Sequence, residues 1–251
     1  MAGRGGTFVY GIVPADVEPT DDAVGVGDPP GEVTAVVQGE LAALVSEVDL
    51  DQPMGRPVDL TAYQELLDGT AVVAPVVPVR FGTVVTGADA VHDLLEAHRD
   101  RFRAALDEFE GRTQYTVRGR FREPELIGAL LAEDPNVAQL AERVRGRPEA
   151  ASREQRIRLG EMISQAVELR REAETRELVD VLGPVAVTST VRPPGHELDA
   201  LHVAFLVDVD RADEFVAVTE EFAVQRRDLV RMRLLGPLAP YDFVDAHQLA
   251  G

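Results

Sequence analysis

Residues 184–209 read PVAVTSTVRPPGHELDALHVAFLVDV. Two runs rich in β-branched and aromatic residues flank Pro193-Pro194-Gly195, which cannot continue a strand. The stretch therefore reads as a strand over 184–192, a turn, and a second strand over 200–209. Upstream, residues 152–182 carry Leu159, Met162, Ile163, Ala166, Leu169 and Ala173 at helical spacing, with Ser152 and Gln155 placed as a capping box. Downstream, 211–224 reads as a helix presenting Phe215, Val218, Thr219 and Phe222 on one face. Further out, TQYTVRGRF (113–121) alternates as a strand, 123–133 and 136–146 are helical, and LVRMRLL (229–235) closes as a strand. The order β-α(three helices)-β-β-α-β is that of a ferredoxin-like split βαβ unit with an enlarged first crossover. Right-handed crossovers would place the helices on one face of a four-stranded antiparallel sheet.

The first 111 residues read as a separate α+β unit. TFVYGIV (7–13) has the apolar character of a central strand, and the acidic, Pro/Gly-rich segment behind it is a loop. Residues 32–50 form two strands turning at Gln38-Gly39. Asp59 is placed to cap a short helix with Leu60, Tyr63, Leu66 and Leu67 on one side. Pro75 and Pro78 confine any strand in VVAPVVPVRFGTVV to an edge or to a short piece beyond the second proline. One helix is expected over 86–110, opened by Thr86 and Asp89, buried through Val91, Leu94, Leu95, His98, Phe102, Ala105, Leu106 and Phe109, and ended by Gly111. The expected organisation is α+β in two domains, 1–111 and 112–235, followed by a tail over 236–251. That tail, GPLAPYDFV at its start, is too apolar for a loose end and too proline-rich for a strand or helix.

Composition narrows the function. The chain has 251 residues, no cysteine, and a formal charge of −19, and all of its 25 basic residues are arginine. Without lysine or cysteine there is no Schiff base, no P-loop lysine, no thiolate nucleophile and no cysteine metal site. A polyanion repels nucleic acid and anionic lipid, so neither is an expected partner. No run approaches the length of a membrane span, and MAGRGG has no apolar region behind it, so the expected location is the cytoplasm.

No catalytic template fits. His92, His98, His196, His202 and His247 form neither HExxH nor HxxxH. His98 reads as a core histidine and His202 as solvent-facing. Ser46, Ser152, Ser164 and Ser189 lack a nucleophile elbow, and GVGDPPG lacks the helix a phosphate loop needs. The acid pairs Asp49/Asp51 and Asp208/Asp210 alternate with apolar residues and mark wet strand ends rather than a metal site. Glu161 and Asp180 are about 28 Å apart along one helix and cannot cooperate. Between Arg143 and Arg176, nine arginines stand against six glutamates, which reads as a solvated face of i,i+4 ion pairs, with an acidic docking partner as the alternative. No catalytic, cofactor or metal site is expected.

Three stretches in this order, FVYGIV, VVPVRFGTVV and RLLGPLAPYDFV, make the chain resemble the gas vesicle protein GvpF/GvpL family from about Thr7 to Val244. QYTVRGRF departs mildly, with Tyr115 and Arg118 where the family has a Trp-x-Val-Lys type strand. The resemblance implies a non-enzymatic accessory or minor structural protein that contacts the hydrophobic major shell protein and assists nucleation and assembly in the cytoplasm and on the gas vesicle. Other gas vesicle accessory proteins are implied partners. It implies an N-terminal α+β domain, a ferredoxin-like C-terminal domain, and a tail packed between them. Leu234, Leu235, Leu238, Tyr241, Phe243 and Val244 would then line a groove between domains, with Pro237 keeping the tail extended. Arg80 and Phe81 of PVRFG would belong to the same region, Arg80 as an anchor to a carboxylate or carbonyl or as an ordinary ion pair. The alternative reading is a ligand-sensing or regulatory ferredoxin-like protein with no substrate to turn over.

Overall fold

The computed structural model describes residues 5–20 and 22–244. Most of MAGRGG, Asp21, His247 and the tail beyond Val244 lie outside the described residues. The described residues form a mixed α/β structure with two sheets and seven α-helices. The chain divides into two compact units. One comprises residues up to Tyr115 together with Leu206–Asp210 and the chain from Gly236 onward. The other comprises Thr116–Phe205 and Arg211–Leu235.

The first unit is built on β1 (Gly5–Pro14), β2 (Val33–Gln38), β3 (Leu41–Asp49), β4 (Val77–Pro78) and β5 (Val84–Val85). The order is β2-β3-β1-β4, with β5 also pairing β1, so β1 is central as its sequence predicts. It runs antiparallel to β3 from Gly5↔Asp49 to Pro14↔Leu41, and the register shifts between Val9 and Gly11. A bulge of this kind resets which face a side chain meets. Phe8, Tyr10 and Val13 accordingly pack into one core and Val9 and Ile12 into the other. Helix α1 (Pro57–Val73) covers the Tyr10 face through Tyr63 and Leu67. Helices α2 (Gly87–Ala97) and α3 (Arg99–Phe109) cover the opposite face through Val91, Leu95, Phe102, Leu106 and Phe109. Each large apolar side chain so buried stabilises by about 1.5–3 kcal/mol.

Several expectations are corrected here. The single helix over 86–110 is two, broken at His98 (φ −119°, ψ 16°), whose ring meets Phe102 edge-on and is only half-buried. Thr86 makes no side-chain cap. Helix α1 begins before Asp59, which sits at its third position, and Leu60 is exposed. The hairpin turn is Gly39-Glu40, one residue later than predicted. The proline-limited stretch does behave as expected: β4, which includes Pro78, lies at the sheet edge, and the two-residue β5 follows beyond it.

The second sheet comprises β6 (Arg112–Phe121), β7 (Thr188–Val191), β8 (Asp199–Asp208) and β9 (Val230–Leu238) in the order β7-β8-β6-β9. Helices α4 (Glu123–Glu133), α5 (Pro135–Val144), α6 (Glu149–Leu182) and α7 (Ala212–Arg226) complete the chain. Strand β7 is shorter than predicted because Gly183–Val185 forms a 3₁₀ turn, and β9 continues past Leu235 to Leu238. Ser152 is not a cap: α6 starts at Glu149, and the Ser152 hydroxyl donates to Pro148 O at 3.0 Å. Leu169 and Ala173 are exposed, and among the described side chains of α6 the buried apolar ones are Leu178 and Leu182. The arginine-rich helix is laced less by i,i+4 pairs than by i,i+3 and inter-helix ones. Arg170 reaches both Glu133 and Glu174, and Arg226 of α7 reaches Glu174 and Glu177. His202 is partly buried, not solvent-facing, and its Nε2 accepts from Arg118 Nε at 3.1 Å.

Candidate functional site: the tail seat and the groove on α1

Helix α1 organises the first unit's surface. At its start the buried Asp59 carboxylate accepts from Gly27 N, Arg56 N, Arg56 Nε and Arg56 Nη2 at 2.9–3.2 Å. Arg56 also donates to Gly27 O and Asp28, so one clamp joins the acidic loop to the helix. The Arg56 guanidinium, chiefly by hydrogen bonding, holds the Asp59 carboxyl down to about 2. The loop's glycines serve close approach: a Cβ on Gly31 would lie 2.5 Å from Glu47 O. Beneath it Tyr10, with its pKa raised by burial, shares a hydrogen bond with Ser46 Oγ and accepts from Val26 N, both at 2.7 Å.

Midway along α1 the tail is seated. Asp68 Oδ1 accepts from Ala239 N at 2.8 Å and from the Tyr241 hydroxyl at 3.0 Å. Gln114 and Asp242 bond reciprocally, Nε2 to Oδ2 at 2.7 Å and Asp242 N to Oε1 at 2.9 Å. The Thr113 hydroxyl donates to Leu238 O at 3.1 Å. Tyr241 lies 6.2 Å from Tyr63, whose hydroxyl donates to Val79 O at 2.6 Å, and Phe81 meets Tyr63 edge-on at 5.3 Å. Phe243 and Val244 pack on the Val9 core. Burial raises the Asp68 carboxyl and both the Tyr63 and Tyr241 phenols, while the two tail hydrogen bonds oppose the shift at Asp68.

Of the residues singled out in the sequence, the structure brings together Phe81 and Tyr241, and it seats Phe243 in the neighbouring core. Leu235 and Pro237 are exposed. Arg80 is also exposed, and among the described residues its guanidinium has no ion pair. Its carbonyl, closing a tight turn, accepts from Thr83 N and Oγ1. Asp68 and Gln114 went unnoticed. The only signal was an acid directly following Leu66-Leu67 of the apolar stripe, and Glu65 three residues earlier makes it read as part of a solvated face.

The outer side of α1 carries an open groove of about 340 Å³ against residues 17–20 and 22–24, with Val17, Ala23, Val24, Leu66 and Val73 on its apolar part and Glu18, Asp22 and Glu65 on its acidic part. Val24 is 56% exposed and Val73 80%. In the second unit an open groove of about 630 Å³ lies between α6 and the β7–β8 hairpin. Three of its charged groups are engaged: Arg171 donates to Asp199 O, Glu197 O and Glu168, and Asp199 accepts from Gly195 N and His196 N. Among the described residues no cluster of three or more His, Asp or Glu could hold a metal ion, and no helix is long and apolar enough to cross a membrane.

The sequence pattern of the gas vesicle synthesis protein GvpL/GvpF family matches residues 6–245. Gas vesicle protein F of Streptomyces sp. (strain CB03234) is 34% identical over 243 residues, covering 95% of this chain and 99% of the relative. Gas vesicle protein L of the same strain is 29% identical, covering 94% and 91%. The crystal structure of GvpF from Anabaena sp. PCC7120 shares the fold with a TM-score of 0.78 at 22% identity, covering 96% of this chain and 98% of that one. GvpF from Microcystis aeruginosa gives 0.76 at 20% identity, covering 96% and 99%. The chain belongs to the gas vesicle synthesis protein GvpL/GvpF family.

Proposed function

We propose that the chain is a non-enzymatic accessory or minor structural protein of the gas vesicle that binds the hydrophobic major shell protein and assists nucleation and assembly. The observation that carries this reading is the α1 groove, with exposed Val24 and Val73 in its lining, on a chain of formal charge −19. A shell subunit with a water-excluding face aggregates unless that face is covered. A groove with an apolar strip edged by carboxylates, on a highly charged carrier, covers the face and keeps the complex soluble. The perturbed groups Asp68, Tyr63 and Tyr241 are occupied in seating the tail, which favours a structural role over a catalytic one. Tyr241 and Phe81 act here as anchors against α1, and Phe243 as an anchor in the core on the other face of the sheet; Arg80, Leu235 and Pro237 remain available to partners. Other gas vesicle proteins are the further partners, and the cytoplasm and the vesicle are the sites of action.

The strand order β7-β8-β6-β9, with three helices between β6 and β7, supports reading the second sheet as ferredoxin-like with an enlarged crossover. The groove of about 630 Å³ beside that sheet favours the second reading, a ligand-sensing domain. Co-expression with the major shell protein tests the first. It predicts co-purification and more soluble subunit than the subunit yields alone; an unchanged soluble yield with no co-purification rejects it.

A further inference from the structure

One exposed stretch of the four-stranded sheet is basic, in a chain whose formal charge is −19. On β6, Val117 and Phe121 are buried while Arg118 and Arg120 are exposed. On β9, Val230 is buried while Arg231 and Arg233 are exposed. The contacts Arg122 N to Leu229 O and Thr113 Oγ1 to Leu238 O run the two strands antiparallel. In that register Arg120 stands beside Arg231 and Arg118 beside Arg233, on one face. Like charges directly opposite across a strand pair destabilise it, so this arrangement works against the fold.

Carboxylates do not relieve it. Among the described residues none of these four arginines has an ion pair. Arg118 instead donates to His202 Nε2 at 3.1 Å, and Arg120 Nη2 lies 3.2 Å from the ring nitrogens of His196. Burial, with Arg118 and Arg192 nearby, lowers the His202 pKa and keeps that ring a neutral acceptor. The acid beside it, Asp199, is engaged by Gly195 N and His196 N.

We propose that this face docks a carboxylate-bearing segment of a protein partner, an acidic strand or loop whose Asp and Glu side chains neutralise Arg118, Arg120, Arg231 and Arg233. Guanidinium forks match carboxylates bidentately. A short acidic segment engages them within a Debye length of about 8 Å, where the opposing field of the rest of the chain is screened. Nucleic acid, with a charge every ~1.7 Å, meets that field along its whole length. A second copy brings its own −19. The proposal does not depend on the shell protein being the client of the α1 groove.

The test is fluorescence anisotropy of a labelled hexaglutamate peptide titrated with the full chain at low and at physiological salt. Saturable binding that weakens with salt is expected. In an Arg118→Gln/Arg231→Gln variant it should weaken about tenfold or more. Arg153→Gln/Arg158→Gln, exposed on α6, should change it by less than about twofold. The Arg118→Gln/Arg231→Gln variant should melt no lower than the parent, since a repulsion is removed. Absence of peptide binding at low salt, equal losses in both variants, or tighter binding of oligo-dT than of the peptide would overturn the proposal. So would sedimentation showing a dimer that the Arg118→Gln/Arg231→Gln change dissociates.

Discussion

The Tyr241 hydroxyl donates to Asp68 Oδ1 at 3.0 Å across 173 positions of sequence. The same oxygen accepts from Ala239 N, so one carboxylate holds the tail by backbone and side chain together. Replacing Asp68 by Ala strands both donors and is expected to cost about 1–3 kcal/mol, whereas Tyr241→Phe removes one bond for about 1 kcal/mol. Asp68→Asn keeps an acceptor and removes the buried charge. Because the folded-state pKa of Asp68 is raised, its contribution to stability is fully present below the unfolded value of about 3.9 and is lost as pH rises through the folded one. Asp68→Asn should therefore be neutral or stabilising at neutral pH. Urea midpoints of the three variants check this ordering.

Gly236 has φ +144°, and a Cβ there would lie 2.5 Å from Tyr115 Cδ1 and 2.9 Å from Gln114 O. Neither contact is the free end of a flexible chain. Gly236→Ala is expected to cost about 2 kcal/mol or more and to expose the tail to protease, measured by thermal midpoint and limited digestion.

Asp59 predicts an acid transition. Its folded pKa is depressed to about 2, so its contribution is complete above the unfolded value of about 3.9 and disappears as pH falls from there through about 2. The amount at stake is about 2 kcal/mol. The acid-unfolding profile of Asp59→Asn should lose this component and converge with the parent at the lowest pH.

Glu174, only 7% exposed, binds Arg226 of α7 at 3.1 Å and Arg170 at 3.4 Å, and Arg226 lies 3.6 Å over the Phe222 ring. Glu174→Ala leaves the largely buried Arg226 with Glu177 as its remaining counter-ion and should cost about 1–3 kcal/mol. Glu174→Ala combined with Arg226→Met should recover much of that loss, since the pair itself contributes little net stability. A double-mutant cycle on chemical denaturation reads the difference.

Periodicity made the element order legible: β1 as a central strand, three helices between β6 and β7, and the β7–β8 hairpin all follow from apolar spacing and prolines. The places where the reading erred are decided by tertiary contacts. His98 continues the apolar stripe, yet the backbone breaks there so that α2 and α3 can each face the sheet. Ser152 has the right residue type for a cap but lies inside a helix opened by Pro148. The tail was legible as a packed segment from Tyr241 and Phe243. Its seat was not, because Asp68 looks like an ordinary surface acid until Ala239 and Tyr241 arrive from the other end of the chain.

If the α1 groove holds an apolar client, site-specific photo-crosslinking captures the pair. A photoreactive amino acid is placed at position 73 in the groove, or at position 224, where Val224 is 60% exposed on α7, and each chain is co-expressed with the major shell protein. An adduct from position 73 and none from position 224 is the predicted result. An adduct from position 224 alone, or none from either while the chain still solubilises the shell protein, would contradict it.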